Sequence, residues 1–340
     1  MQNSSVEDFK NLLEAKYQQI VITTHYKPDA DALGSSLALA EYLQIKGHQV
    51  TVITPSDYPR FLNWLHGQGQ VIALNDNNVD EISNIINNAD IVFCLDFSSL
   101  SRINNLEEIV RKSFAKKVLI DHHLNPEHFA DFNFHFQTAA ATAEIIYNFI
   151  CILGDRNLIT KDIAESIYAG IMTDTGSFRF PSTSSQIHII IADLIALGAD
   201  NSKVHRLIYD NNSELRLRFI GFALSEKLNV LKEYNVAYFA INAEELKKYD
   251  SQTGDTEGVV NYALSIEGVR FAAMMVERED GVKISFRSTG DFAVNEFAAL
   301  HFEGGGHKNA SGGKSKINLK ETESKFLHLL PLYKEQLNLI

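Results

Sequence analysis

Val118-Leu119-Ile120-Asp121-His122-His123 sets a short, wholly apolar run directly against an acid and two imidazoles. Such a run reads as a strand buried on both faces. Ile20-Val21-Ile22-Thr23-Thr24, Val50-Thr51-Val52-Ile53-Thr54 and Ile91-Val92-Phe93-Cys94-Leu95 share its character. Helical patterns separate them, beginning with an amphipathic helix over about residues 6–16. This alternation predicts an α/β domain with a mostly parallel sheet flanked by helices. Ligands of such sheets collect beyond the carboxyl ends of the strands. There, His25, Asp29 and Asp31 follow the first run, Asp96 follows the third, and Asp121, His122 and His123 follow the fourth.

Helical patterns over 140–153 and 161–172 come next, the second running straight into Thr173-Asp174-Thr175-Gly176. Residues 184–231 read as helical almost throughout, so the expected division is a catalytic domain at 1–185, a helical connector at 186–231 and a smaller α/β domain at 232–340. In the last, strand-like runs at 236–241, 269–276 and 282–286 precede a glycine-rich loop, Gly304-Gly305-Gly306-His307.

A chain of 340 residues with 45% hydrophobic content fills two ordinary cores. Its formal charge of −12 repels long nucleic acid unless local cations reverse the field. The two cysteines, Cys94 and Cys151, are too few for a disulfide framework and suit a reducing cytoplasm. The first residues carry neither a basic leader nor an apolar core, and Ile187–Leu197 is interrupted by His188 and Asp193, so neither secretion nor membrane association is expected.

Each acidic motif alone has an ordinary explanation. Asp31 reads as the N-cap of a helix from Ala32 to Leu43, Asp96 as a turn residue, and Asp174 as a helix end. Four such motifs at strand or helix ends of one domain instead read as a carboxylate and imidazole cluster for divalent cations. Two cations about 3.5 to 4 Å apart share a water and clamp both oxygens of an in-line displacement. The absence of thiolates favours manganese or magnesium over structural zinc.

The set resembles the DHH phosphoesterases. His25-x-x-Pro28-Asp29-x-Asp31 is similar to their first motif, Asp96 to the second, Asp121-His122-His123 to the name motif and Thr173-Asp174-Thr175-Gly176 to the fourth. The resemblance implies that His25, Asp29 and Asp96 hold one cation and Asp31, Asp96, His122 and Asp174 the other, with Asp96 shared. It implies further that Asp121 orients His122 or completes the shell, that His123 meets the phosphate or leaving oxygen, and that Mn2+ is preferred, with Mg2+ or Co2+ able to serve.

Phe286-Arg287-Ser288 upstream of Gly304-Gly305-Gly306-His307 is similar to the DHHA1 domain of exonuclease-like members. That resemblance implies Arg287, Ser288, Gly305, Gly306 and His307 as contacts to the nucleotide end of a substrate. Read alone, the glycines are a turn and Arg287 an edge residue. Within the DHH–DHHA1 group the resemblance is to short members that trim oligoribonucleotides and dephosphorylate 3′-phosphoadenosine 5′-phosphate. Long duplexes are not expected partners, and a homodimer through the helical connector is. A soluble phosphodiesterase for cyclic dinucleotides or their linear products, and a nucleotide-binding protein without turnover, are the alternatives.

Among the remaining residues, alternation in Phe132-x-Phe134-x-Phe136 predicts one buried strand face rather than a base-stacking platform. Arg102 and Arg179 read equally as phosphate contacts or surface residues, and His188 and His205 as structural.

Overall fold

The computed structural model describes residues 3–14 and 16–338. Met1, Gln2 and Ala15, which the leader and first-helix readings include, lie outside the described residues. The chain divides into two compact units, Met1–Asn211 and Asn212–Ile340. No helix among the described residues is long and apolar enough to cross a membrane.

The first unit runs α1 (Asn3–Glu14), β1 (Gln19–Thr24), α2 (Ala30–Ile45), β2 (Gln49–Thr54), β3 (Ile72–Ala73), α3 (Val79–Asn87), β4 (Ile91–Leu95), α4 (Glu107–Lys112), β5 (Lys116–Asp121), β6 (Phe132–His135), α5 (Thr142–Ile152), α6 (Lys161–Asp174), α7 (Ser185–Ala196) and α8 (Asn201–Tyr209). Its sheet has the order β3-β2-β1-β4-β5-β6, parallel at every pairing. The order reverses between β1 and β4, and the crevice at their carboxyl ends is where an open α/β sheet receives its ligand.

Successive side chains of one strand feed two cores. Ile20 and Ile22 join Phe93, Ile120 and the helices α1, α2, α5 and α6 on one face. Val21 joins Val92, Cys94 and Leu119 against Ile82, Ile86 and Val110 of α3 and α4 on the other. The Phe132–Phe136 alternation resolves as expected, with Phe134 buried 5.6 Å from Phe9 and 5.3 Å from Phe149.

Helices α2 and α6 cross closely enough that a methyl group does not fit between them. A Cβ on Gly34 would stand 2.6 Å from the Ser166 carbonyl oxygen, and one on Gly170 would stand 2.7 Å from both the Ala143 Cβ and Asp31 Oδ1. This crossing brings the start of α2, the start of α5 and the end of α6 to one place.

The segment read as a connector contributes to both units. Ile187, Ile190 and Leu194 of α7 and Val204 and Ile208 of α8 belong to the first core, while Phe219 of α9 (Glu214–Phe222) belongs to a core of the second. Its end is not helical. Residues Leu228–Leu231 form β7, since their backbone completes an antiparallel ladder with the following strand.

The second unit continues with β8 (Val236–Ile241), α10 (Ala243–Lys248), α11 (Val259–Leu264), β9 (Phe271–Arg278), β10 (Gly281–Ser288), α12 (Val294–His301), β11 (Gly305–His307), β12 (Ala310–Ser315) and α13 (Leu319–Leu329). Its sheet, β11-β12-β10-β9-β8-β7, is antiparallel except where β8 meets β9. Phe271, Ile284 and Phe286 face α12 and α13, while Phe239, Ala272 and Met274 face α9 and α11.

Gly34→Ala is expected to cost about 1–3 kcal/mol through overpacking, read as a lowered urea midpoint. Gly69→Ala, where no atom lies within 4 Å of the added carbon, should change stability by less than about 0.5 kcal/mol.

Candidate metal centre

Lys27 turns the chain through the left-handed region, φ +56°, just before Pro28, and α2 then starts one residue beyond Asp29. Asp29 is the cap, contrary to the expectation for Asp31: its Oδ1 accepts the N–H groups of Asp31 at 3.0 Å and Ala32 at 3.1 Å. Its Oδ2 stands 4.0 Å from His25 Nε2. Asp31 lies inside the first turn, fully buried, where its carboxylate accepts the N–H groups of Thr142 at 2.7 Å and Ala143 at 2.8 Å. The N-terminus of α5 thus supplies donors and a favourable dipole to a buried acid.

Asp96 leaves β4 in the left-handed region, φ +64°, with its N–H bonded to the Ile120 carbonyl at 3.1 Å. Its two oxygens face different groups. Oδ2 lies 3.5 Å from His25 Nε2, and Oδ1 lies 3.4 Å from His122 Nε2 while accepting the Thr142 hydroxyl at 2.9 Å. Thr142, which holds Asp31 by its backbone and Asp96 by its side chain, escaped the sequence reading because a threonine opening a helix looks like any cap.

Backbone carbonyls fix both imidazoles. His25 Nδ1 donates to the Tyr26 oxygen at 3.0 Å and His122 Nδ1 to the Ala139 oxygen at 3.2 Å. Each Nε2 is thereby turned toward carboxylates, the arrangement of metal-ligating histidines. His122 Nε2 stands 3.8 Å from Asp31, 3.4 Å from Asp96 and 3.5 Å from Asp174. Ligands bonded at about 2.1 Å to one ion stand roughly 3 Å or more from one another, so these spacings suit a cation at the centre. The donors form two groups sharing Asp96: His25, Asp29 and Asp96, and Asp31, Asp96 and His122 with Asp174 beside it.

The electrostatics fit the same occupant. Burial, and then the charge of Asp96, raises the Asp31 pKa well above its ordinary value. Burial, and then Asp31 and Asp29, raises Asp174 likewise. Burial also opposes ionisation of Asp96, but hydrogen bonds from His122 and His25 outweigh it and hold that carboxyl well below the usual range. Burial would lower His25 and His122, yet both are raised because Asp96 and its acidic neighbours outweigh it. A set of oxygen and imidazole donors with excess negative charge, buried at Asp31, Asp96, His25 and His122 and open to solvent at Asp29 and Asp174, is the chemistry of a divalent-cation site.

Asp121, fully buried at the end of β5, orients His123 rather than His122. His123 Nδ1 donates to Asp121 Oδ1 at 2.8 Å and lies 3.7 Å from Asp96 Oδ1. Arg102, exposed, is near enough to oppose protonation of His25, whereas Arg179 donates to the Gly176 carbonyl at 2.7 Å. His205 and His188 pack against Phe178, with ring centroids 6.5 and 6.0 Å away, in keeping with a structural role.

In the second unit the glycine-rich stretch is a strand, not a loop. Gly305, Gly306 and His307 pair with Gly312, Ser311 and Ala310, because small residues let β11 and β12 approach where side chains would collide. Gly306 takes φ +136°, a region L side chains rarely enter. Arg287 pairs with Ala310 from the other side, so Arg287, Ala310 and His307 form one cross-strand row on one face of the sheet. Ser288 is buried, its hydroxyl donating to the Phe292 carbonyl at 2.7 Å and accepting the Asn309 amide at 2.9 Å. Its hydroxyl therefore braces the turn after β10.

The family model for the DHH family, N-terminal domain, matches residues 19–171, and that for the DHHA1 domain matches residues 233–331. The chain is 30% identical over 306 residues to the bifunctional oligoribonuclease and PAP phosphatase NrnA of Thermus thermophilus, across 90% of this chain and 86% of that protein. It is 29% identical over 331 residues to the probable bifunctional oligoribonuclease and PAP phosphatase NrnA of Streptococcus mutans, across 96% and 99% of the two chains. The crystal structure of an exopolyphosphatase-related protein from Bacteroides fragilis is 39% identical and matches with a TM-score of 0.93, covering 99% of this chain and 98% of that one. With both domains in this order and likeness along nearly its whole length, the chain belongs to the DHH family, in the group that carries a DHHA1 domain.

Proposed function

We propose that this protein is a metal-dependent phosphoesterase that hydrolyses short oligoribonucleotides to mononucleotides and 3′-phosphoadenosine 5′-phosphate to AMP. The observation that carries the reading is Asp96, whose two oxygens face two separate carboxylate and imidazole groups. The printed names of the Thermus and Streptococcus relatives support the substrate class. The net charge of −12 favours short substrates over long strands.

In this reading His25, Asp29 and Asp96 hold one divalent cation, and Asp31, Asp96, His122 and Asp174 the other, with Mn2+ first and Mg2+ or Co2+ as substitutes. Bound there, such a pair lowers the pKa of water and draws charge from the phosphate. The protein's own groups do the positioning. Thr142 keeps Asp96 turned between the two groups, and Asp121 holds His123 Nδ1 so that its Nε2 is presented to the phosphate or the leaving oxygen. Arg287 and His307, on one row of the second sheet, take the nucleotide end together with the backbone of Gly305 and Gly306. Ser288 keeps that row in place. The protein works in the cytoplasm, and α7, whose Ile189 and Ile195 are exposed, supports a homodimer through that helix.

A substrate panel tests the activity: purified protein with Mn2+, given 3′-phosphoadenosine 5′-phosphate, a dinucleotide, a long oligonucleotide and cyclic di-AMP. Dominant hydrolysis of the first two is expected; dominant cleavage of the cyclic compound would sink the reading. Asp29→Ala and His123→Ala should each lower turnover at least about 100-fold with the fold intact, and parent-like turnover in both would overturn the site assignment. Thr142→Val should weaken Mn2+ binding roughly 10-fold by calorimetry, since it removes the hydroxyl that steadies Asp96 and leaves the backbone bonds to Asp31. His307→Ala should raise KM about 10-fold with kcat within about twofold; loss of Mn2+ binding instead would contradict its assignment to the nucleotide end.

A further inference from the structure

Resting on the reading that His123 acts on the substrate, we propose that His135 is a positioning residue that fixes His123 from its backbone side. His135 ends β6 and pairs with Asp121 at the end of β5. Ile120 and Phe134, one residue earlier on each strand, point into a core. Asp121 and His135 therefore share the opposite face. His135 Nε2 lies 2.5 Å from the His123 carbonyl oxygen and 3.8 Å from Asp121 Oδ2.

A carbonyl can only accept, so Nε2 carries the proton and donates it. His123 is gripped twice: Asp121 Oδ1 holds its ring at Nδ1, and His135 holds the peptide from which that ring projects. A ring tethered only at Nδ1 still swings with its backbone; fixing the peptide removes that freedom and pre-organises Nε2. Asp121 Oδ2 is buried without a hydrogen bond. The same His135 Nε2 stands 3.8 Å from it, near enough for its N–H dipole to offset part of the carboxylate's charge. The His135 side chain is 12% exposed, so water competes little for the donor. Nothing in this geometry places His135 among the metal donors, so its contribution falls on kcat.

The test uses the full chain with Mn2+ and a short oligoribonucleotide, comparing His135→Phe, His135→Gln and His123→Ala in one assay. His135→Phe keeps a ring but loses the donor. It is expected to lower kcat about 10- to 100-fold, with KM and the Mn2+ dissociation constant within about twofold. His135→Gln places an amide N–H near the position of Nε2 and should stay within about threefold of the parent. His135→Asn, too short to reach the carbonyl, supplies the same contrast should the phenylalanine variant not fold. If His123→Ala retains parent turnover, the reading of His123 itself fails. If His123→Ala is inactive, two results overturn the inference: undiminished kcat in the donor-free variant, or an equal loss in the glutamine variant.

Discussion

Carboxylates gathered in a protein interior repel one another, and the first unit is arranged around that repulsion. Two like charges 4 Å apart at an effective dielectric of about 20 oppose each other by roughly 4 kcal/mol. Asp31 is steadied by the first N–H groups of α5, and Asp96 by His25 and His122. What remains uncompensated appears in Asp31 and Asp174, whose pKa values are raised by burial and by their acidic neighbours. Both carboxyls therefore hold their protons to higher pH than an ordinary aspartate does. A carboxyl whose folded pKa is raised stabilises the fold at pH below its unfolded value, 3.8, and loses that contribution as the pH climbs through the folded value. Cations bound between these groups would restore it, linking metal affinity and folding stability through the same atoms.

The topology explains why these residues meet. Strand order reverses between β1 and β4, so the chains leaving their carboxyl ends diverge, and His25 and Asp96, which follow these two strands, meet there with Nε2 and Oδ2 3.5 Å apart. Asp174 arrives by a different route, at the end of α6, and depends on how closely that helix crosses α2. The close approach that leaves no room for a Cβ at Gly170 is made to Asp31 Oδ1 itself. The helix crossing and the position of the Asp31 carboxylate are therefore set together, and a change that loosens the crossing also moves that carboxylate.

The long strands of the first sheet were legible because both faces are covered, which leaves unbroken apolar runs in β1, β4 and β5, while β2 is interrupted by Thr51 and buried only in its second half. The motif residues were legible because they sit at strand and helix ends, where the chain has little other reason to place acids. What was hidden has a different physical basis. A strand of glycines carries no apolar signal, so β11 looked like a loop although its backbone pairs fully with β12. The choice between Asp29 and Asp31 as cap turns on where α2 begins, a matter of two residues that the sequence pattern alone does not fix. Thr142, Gly170 and His135 act through contacts with residues distant in sequence, and no local pattern marks such partners.

Three histidines meet the carboxylate cluster, and what stands behind each ring separates their roles. Behind His25 and His122 is a backbone carbonyl. A neutral acceptor holds the proton on Nδ1 and leaves the Nε2 lone pair to a cation, which suits a ligand that must stay neutral. Behind His123 is the buried carboxylate of Asp121. A carboxylate in that place steadies the positive charge that forms when the other nitrogen takes a proton, which suits a ring that meets phosphate oxygens rather than a metal. The two neighbours in Asp121-His122-His123 are chemically alike in sequence, and the fold makes them different by turning one toward Ala139 and the other toward Asp121. With Asp121 Oδ1 engaged by His123, the carboxylates nearest His122 Nε2 are those of Asp31, Asp96 and Asp174, so the two imidazoles of the name motif face different surroundings.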